Sequence, residues 1–227
     1  MKKNLVRSCL GLLGLMAVAM TSQAGTIYSN LTPTGGWTVP SLNGEIGNEV
    51  TVSGANWQVT GLDIEIYSQG GIFPNGRPGN ADFQAQLYAN NGTGGQPGAL
   101  LWQSAVEPIY YLGGLSLLHF SVPDVVVPDT FTWTLEYSNP LPLAPGLPSG
   151  TGPTIGTSDV CWTRGEGDAS WTQVTAAGNL MAEITAVPEP ATYALLTAGV
   201  LTPGLRRAFK KKNPGRALAH PGLTGRI

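Results

Sequence analysis

The residues Thr130–Tyr137, which read TFTWTLEY, alternate polar and apolar side chains at every step. Successive side chains of a β-strand point to opposite faces, so Phe131, Trp133 and Leu135 would share one face. The threonines and Glu136 would share the other face. The stretch therefore predicts a β-strand that buries one face and turns the other toward solvent.

The same period of two recurs at Leu62–Tyr67, Asp82–Ala89 and Asn179–Ala186. Shorter runs of β-forming residues predict further strands, at Thr26–Asn30, Asn48–Ser53, Ala99–Ser104, Leu115–Val122 and Ser158–Thr163. No amphipathic helical segment of useful length stands among them. Half-buried strands in these numbers pack best as two sheets placed face to face. We expect an all-β protein, an antiparallel β-sandwich of jelly-roll type.

The turns between these strands are predicted from glycine and proline, of which the chain has 31 and 18. Pro123-Asp124 is one predicted turn. The stretch Asn139–Pro153 contains five prolines. Because proline cannot donate to a β-ladder, this stretch is predicted to be a long surface loop rather than a central strand.

The charges divide the chain into three parts. From Gly25 to Val187 there are two basic and thirteen acidic residues, a net charge of −11, while most basic residues lie at the two ends. A body this acidic repels phosphate backbones, so we expect no nucleic-acid partner. Basic residues beside apolar segments are typical of membrane topology signals.

The amino terminus has the pattern of a secretion signal. A basic start precedes the uncharged stretch Cys9–Met20, and small residues stand at the expected positions before a cut between Ala24 and Gly25. The apolar stretch is too short for a stable membrane span. We therefore assign residues 1–24 to a signal peptide and residues 25–186 to the β-sandwich domain.

The carboxy-terminal residues 187–227 have the order expected of a sorting tail. Residues 187–190 include Pro188, Glu189 and Pro190, and the uncharged stretch 191–205 is predicted to be a short transmembrane helix. A basic end, residues 206–227, follows and stops transfer across the bilayer. Its first cationic residues are Arg206, Arg207, Lys210, Lys211 and Lys212.

This tail resembles a PEP-CTERM sorting signal of Gram-negative bacteria. That family combines a Pro-Glu-Pro motif with a short membrane helix and an arginine-rich end. The resemblance implies that an exosortase recognises the tail and cleaves near the motif. It also implies transient anchoring in the inner membrane, then release or attachment at the cell surface, often with exopolysaccharide and in biofilms. The middle of the chain, at Gln86–Trp102 and Val127–Tyr137, loosely resembles extracellular domains of proteins that have this tail.

The residues give little support for catalysis. The two histidines are His119 and His220, and no Ser-His-Asp or Cys-His set can be assembled around them. Cys161 is predicted to be a small buried side chain. Glu65 and Glu136 lie on polar strand faces, and a pair of carboxylates would suit a glycan-active enzyme. We expect no enzyme activity and no cofactor.

Two binding chemistries remain open. Asp159, Glu166 and Asp168 lie in a glycine-bearing stretch and are candidate calcium ligands. Aromatic side chains stack on sugars when their rings are exposed. The candidates for sugar stacking are Trp57, Trp102, Tyr110 with its neighbour Tyr111, Trp162 and Trp171.

The sequence thus predicts an exported, non-enzymatic cell-surface or extracellular-matrix protein that an exosortase processes. A carbohydrate-binding module is the alternative, followed by a glycan-active enzyme. The expected partners are the exosortase, transiently the inner membrane, and extracellular polysaccharide.

Overall fold

The computed structural model describes residues 23–38, 43–54, 56–68, 79–111, 113–141, 145–174 and 178–189. The side chains of residues 79, 111 and 141 are not part of this description. Most of the signal peptide and the tail from Pro190 onward, with its predicted helix and basic end, lie outside it. Within the described ranges no helix is long and apolar enough to cross a membrane.

The described ranges contain fourteen β-strands and one short 3-10 turn, Thr93–Gly95. The strands are β1 (Gly25–Ser29), β2 (Pro33–Thr38), β3 (Glu45–Thr51), β4 (Trp57–Ser68), β5 (Gly79–Ala89), β6 (Leu100–Gln103), β7 (Glu107–Tyr111), β8 (Gly114–Val127), β9 (Thr130–Leu141), β10 (Leu147–Gly150), β11 (Cys161–Arg164), β12 (Thr172–Val174), β13 (Asn179–Leu180) and β14 (Ala182–Pro188). The prediction of an all-β protein is confirmed, and the strand pairings between these elements are antiparallel.

The strands form three sheets. The four-stranded sheet has the order β1-β14-β4-β8, and the small sheet has the order β13-β10-β2. The large sheet has the order β12-β11-β3-β9-β5-β6, with β7 also pairing β5. The small sheet continues from the far end of β4, where Tyr67 and Gly146 form a bridge.

The four-stranded and large sheets enclose a common core. Alternate residues of β4 and β8 and of β5 and β9 are buried and belong to one hydrophobic cluster. Trp133 and Phe131, which the TFTWTLEY pattern places on one face, are fully buried in it. The architecture is therefore a β-sandwich whose two outer faces carry the polar residues of the alternation.

Two turn predictions are wrong. The predicted loop 139–153 contains β10, which lies between β13 and β2 in the small sheet. Pro148 fits because the sheet uses its carbonyl, which accepts the Met181 N–H at 3.0 Å. Pro123-Asp124 does not end a strand: β8 continues through it as a bulge in which Asp124 has φ 49°.

Candidate functional site

The predicted sorting boundaries lie beside each other at one end of the four-stranded sheet. Ala24 is exposed just before β1, and Gly25 pairs with Ala186 of β14. Pro188 is the last residue of β14 and pairs with Trp57, and the Glu189 N–H donates to the Asn56 carbonyl at 3.1 Å. The folded chain thus begins and ends on two adjacent strands.

The aromatic candidates for sugar stacking do not form one surface. Tyr110 is 74% exposed, on β7. Trp57 and Trp102 are half-buried and pack against the main core, and the Trp57 Nε1–H donates to the Ser53 carbonyl at 3.2 Å. The side chain of Tyr111 is not described. Of these candidates, only Tyr110 presents an open ring.

Trp162 and Trp171 are brought together, but on the outer face of the large sheet rather than in an open groove. They form a second buried cluster with Tyr88, and each is only 9% exposed. The rings of Tyr88 and Trp171 meet edge to face at 5.3 Å. A sugar therefore has no free ring face to stack on at this place.

A charged network underlies this second cluster. The Arg164 guanidinium contacts Glu45 Oε1, and the Tyr88 hydroxyl donates to Glu45 Oε2 at 2.9 Å. The Thr134 hydroxyl lies 2.9 Å from both Glu45 Oε2 and Gln86 Oε1, and its single proton serves one of them at a time. Glu45 is thus a buried carboxylate held by hydrogen bonds and an ion pair.

The aromatic rings extend this network. The Arg164 Cζ lies 4.4 Å from the Trp171 ring centroid and 5.7 Å from that of Tyr88, which is cation–π geometry. Burial, followed by the charge of Glu45, raises the pKa of Tyr88. Burial alone would lower the pKa of Arg164, but the hydrogen bond and charge of Glu45 outweigh it and raise that pKa. Tyr88 remains a phenol and Arg164 a cation at neutral pH.

The two carboxylates that the sequence offered as a catalytic pair, Glu65 and Glu136, lie on different sheets. Glu65 is on the four-stranded sheet, while Glu136 lies directly opposite Glu45 on the large sheet. Burial, then the charge of Glu45, raises the pKa of Glu136, and the Gln86 Nε2 donates to its Oε2 at 3.4 Å. Sequence reasoning missed Glu45 because its partner Arg164 is 119 positions away.

The calcium candidates serve other contacts. Asp168 Oδ2 accepts the Gly165 N–H at 3.1 Å, and Glu166 Oε2 accepts from Asn43 at 2.9 Å. Asp159 lines a separate polar pocket of about 230 Å³ together with Gln173 and Asn179. The described part of the chain contains no group of three His, Cys, Asp or Glu side chains that could hold a metal ion. The calcium site stays a prediction without geometric support.

The nucleophile and base candidates are far from a catalytic arrangement. His119 Nδ1 lies 2.6 Å from Asp63 Oδ1, in an exposed pair on the outer face of the four-stranded sheet. Cys161 is buried, and burial raises the pKa of its thiol to about 12. A thiol with such a pKa is not a nucleophile at neutral pH.

Where the small sheet meets the outer face of the four-stranded sheet, apolar side chains of both sheets lie beside one another, which the sequence did not predict. Leu115 of β8 lies opposite Tyr67 of β4, and Tyr67 bridges Gly146. The Trp37 ring stacks beside Tyr67, with centroids 5.0 Å apart and planes tilted by 36°. We call Trp37, Tyr67 and Leu115 the aromatic strip. Trp37 is 43% exposed, so the strip faces solvent.

Glu65 lies next to the aromatic strip and is opposite Leu117. Its Oε2 is buried and has no hydrogen-bond partner among the described residues. Burial raises the pKa of Glu65 above its ordinary value of 4.5. The folded state therefore binds this proton more tightly than the unfolded state, and stability is lost as the pH rises through the two values.

We expect Glu65→Gln to raise the free energy of unfolding at pH 7, because the amide removes the buried charge. Thermal melts at neutral and acidic pH check this. The gain should vanish below the ordinary pKa of 4.5, where both states are protonated. Glu107→Gln, at an exposed carboxylate of β7, is the matched control and should change nothing. An equal gain at both pH values would contradict the role given to the charge.

The fold and these contacts define a class: an antiparallel β-sandwich protein whose large sheet carries a charged network covered by aromatic rings, and whose four-stranded sheet carries exposed apolar side chains on its outer face. Comparison of the chain with protein-family models, curated proteins and solved structures gave no match.

Proposed function

We propose that this chain is an exported, non-enzymatic cell-surface or extracellular-matrix protein of a Gram-negative bacterium. Its tail is a PEP-CTERM sorting signal that an exosortase processes, and its body works among exopolysaccharide in a biofilm. The tail anchors the chain transiently in the inner membrane before cleavage. The body is a jelly roll without a cofactor.

The observation that carries the proposal is the position of the two ends of the folded body. The body occupies Ser22–Glu189 as one compact unit. Its first strand begins at Gly25, directly after the predicted signal cut, and the unit ends at Glu189, within the Pro-Glu-Pro motif. Since β1 and β14 are antiparallel neighbours, both sorting segments connect to the same end of one sheet. A body tethered in this way can fold completely while its motif stays next to the membrane.

The hydrogen bond between Glu189 and Asn56 marks the carboxy-terminal end of the folded body, and the processing enzyme would act next to it. The Glu189 N–H still bonds to the Asn56 carbonyl, and Pro188 pairs with Trp57. The first two residues of the motif therefore continue the sheet. Processing on the carboxy-terminal side of Glu189 would leave every strand of the body intact.

The jelly-roll proposal is supported by the nesting of the strand pairs. β1 pairs with β14, β3 with β9, β4 with β8, and β5 with β6 and β7. The pairs alternate between the four-stranded sheet and the large sheet. A long antiparallel hairpin wrapped into two sheets, with two Greek keys, has this order. β11, β12 and the small sheet are additions to it.

The non-enzymatic proposal is supported by the state of the described polar groups. Glu45 is buried and held by Arg164, Tyr88 and Thr134, so both of its oxygens already have partners within the body. His119 pairs with Asp63 on an open strand surface. A general acid or base needs access to the substrate and a pKa near the working pH.

Truncation after Glu189 is the test of sorting, because it keeps the Asn56 hydrogen bond and removes only the tail. We expect the full chain to be held in the membrane and then to lose its carboxy-terminal residues, while the truncated chain is released without membrane retention. Immunoblots of membrane and medium fractions, with mass spectrometry of the carboxy terminus, measure this.

Glu189→Gln within the motif should slow processing of the full chain, and Glu107→Gln, at an exposed carboxylate far from the tail, is the matched control. Secreted full chain that still ends at Ile227 would contradict the proposal. So would equal retention of the full and truncated chains.

A carbohydrate-binding module is the second candidate function. The observation that favours it is the aromatic strip, whose Trp37 ring is exposed. The sequence candidates Trp162 and Trp171 do not favour it, because they are buried in the second cluster.

A further inference from the structure

We propose that the aromatic strip of Trp37, Tyr67 and Leu115 binds a chain of neutral polysaccharide. Trp37, backed by Tyr67 and with Leu115 at the other side of Tyr67, would stack on the C–H face of a sugar ring, and the half-buried Glu65 at the border would hydrogen-bond hydroxyl groups of the chain. This inference rests on the second candidate function, the carbohydrate-binding module.

The strip has the shape that stacking requires. The Trp37 and Tyr67 ring centroids are 5.0 Å apart, with an interplanar angle of 36°, so the two rings pack partly against each other, and Trp37, the more exposed of the two, is the ring that is open to a ligand. Leu115, directly across from Tyr67, extends the strip onto β8. Aromatic rings present an apolar face together with a polar edge, which matches the C–H face and the hydroxyl rim of a pyranose.

Gly146 is the residue that allows the Trp37 ring its position. A Cβ added at Gly146 would lie 2.9 Å from Trp37 Cδ1 and 3.4 Å from the Thr38 carbonyl oxygen. The ring therefore lies against bare backbone between β2 and β4. Its pose is fixed by this contact and by Tyr67, and a ring held in place loses little entropy on binding.

Glu65 supplies the polar group beside this platform. It is two residues before Tyr67 on the same face of β4, and its Oε2 has no hydrogen-bond partner among the described residues. A buried polar atom without a partner costs free energy. Glu65 as a residue is only half-buried, so a sugar hydroxyl can approach its carboxylate, and a rotation that turns Oε2 outward would give this atom a partner.

The charges on this face select a neutral glycan. Asp63, Glu65 and Glu183 are on the outer side of the four-stranded sheet, and the only described arginine, Arg164, is on the large sheet. An anionic polysaccharide would be repelled. A second copy of the chain docking here by two-fold symmetry would bring like carboxylates together. Neutral hydroxyl groups can instead donate to these carboxylates.

The strip is also well placed for an outside ligand. Both ends of the body meet at the Trp57 end of β4, while Tyr67 is near the other end, beside the pairing of Ser68 with Gly114. At about 3.3 Å per residue, β4 holds the strip roughly 35 Å from the sorting motif. A glycan on the strip would therefore not cover the residues that the processing enzyme has to reach.

The test is a sedimentation and pull-down assay of the purified full chain with microcrystalline cellulose, chitin and laminarin, and with alginate as the anionic glycan. We expect binding to at least one neutral glycan and none to alginate. Trp37→Ala should weaken the Kd about tenfold or more, because one stacked ring is lost. Trp37→Phe keeps a ring and should retain part of the binding.

Tyr110→Ala is the matched control, because Tyr110 is a more exposed ring on the other sheet, and this variant should bind like the unchanged chain. Absence of binding to all three neutral glycans, equal binding by Trp37→Ala, or stronger binding to alginate would overturn the proposal. The proposal would also be overturned if light scattering showed a dimer of the unchanged chain and a monomer of Trp37→Ala. Exosortase processing of Trp37→Ala should be normal, so a failure here leaves the sorting proposal intact.

Discussion

Gly47→Ala is expected to prevent stable folding. Gly47 lies opposite Thr134 where β3 pairs with β9, in the middle of the large sheet. A Cβ at this position would lie 1.7 Å from the Trp133 carbonyl oxygen and 2.6 Å from the Thr134 Cα. Both are backbone atoms, so no side-chain rotation can relieve the clash.

The clash would displace β9, the strand that carries the largest fully buried side chain, Trp133. Separating β3 from β9 would break ladder hydrogen bonds and open the core beneath them. We expect Gly47→Ala to lower the free energy of unfolding by about 4 kcal/mol or more, a large fraction of the 5–15 kcal/mol typical of a domain. Urea unfolding followed by tryptophan fluorescence and circular dichroism measures it.

Gly36→Ala is the matched control for this prediction. Gly36 is also a strand glycine, in β2, but the nearest atoms to its added Cβ are at 3.8 Å. This variant should unfold at about the same urea concentration as the unchanged chain. Equal midpoints for Gly36→Ala and Gly47→Ala would show that the close approach at β3 and β9 does not constrain the sheet.

The sandwich was predictable from sequence because its main strands bury one face. The alternation in Thr130–Tyr137 and Leu62–Tyr67 is the direct trace of that burial, and both stretches lie within long strands. β2 carries no such trace, since five of its six residues are exposed and two are glycines. β10 was not predicted because it contains Pro148, which has no N–H to donate. The small sheet uses the carbonyl of Pro148 instead.

The site was less predictable because its contacts join distant parts of the chain. Glu45 and Arg164 lie on neighbouring strands only after β3 and β11 pair. The sequence offered Trp162 and Trp171 only as candidates for sugar stacking, and the structure instead buries both in the second cluster. Arg164 contacts Trp171 and Tyr88, while the Trp162 Nε1–H donates to Glu49 Oε2, and these are contacts between distant parts of the chain. Trp37 was missed because it lies on β2, which has no alternation, and because its neighbour Gly146 belongs to the stretch predicted to be a loop.

The two outer faces therefore have different roles. On the large sheet the polar residues are joined to one another and covered by rings, which stabilises the body. On the four-stranded sheet Leu115 is exposed, Tyr67 is half-buried beside the exposed Trp37 of β2, and Glu65 Oε2 has no hydrogen-bond partner among the described residues. A mutation in the first network should change stability, whereas a mutation of the aromatic strip should change binding.

Arg164→Ala is the second prediction with a large expected effect. Arg164 is the only described arginine or lysine, and it contacts Glu45, whose side chain is only 9% exposed. Removing one partner of a buried pair leaves a carboxylate without its countercharge. We expect the free energy of unfolding to fall by about 3 kcal/mol, including about 1 kcal/mol from the cation–π contact with Trp171.

Adding Glu45→Gln to Arg164→Ala should restore part of this loss, because the amide removes the stranded charge while it can still accept from Tyr88 and Thr134. The matched control is His119→Ala, which removes the contact with Asp63. The His119 side chain is 64% exposed. An exposed pair contributes about 0–1 kcal/mol, so this variant should be nearly neutral. Equal losses in Arg164→Ala and His119→Ala would mean that the second cluster does not bury its charges.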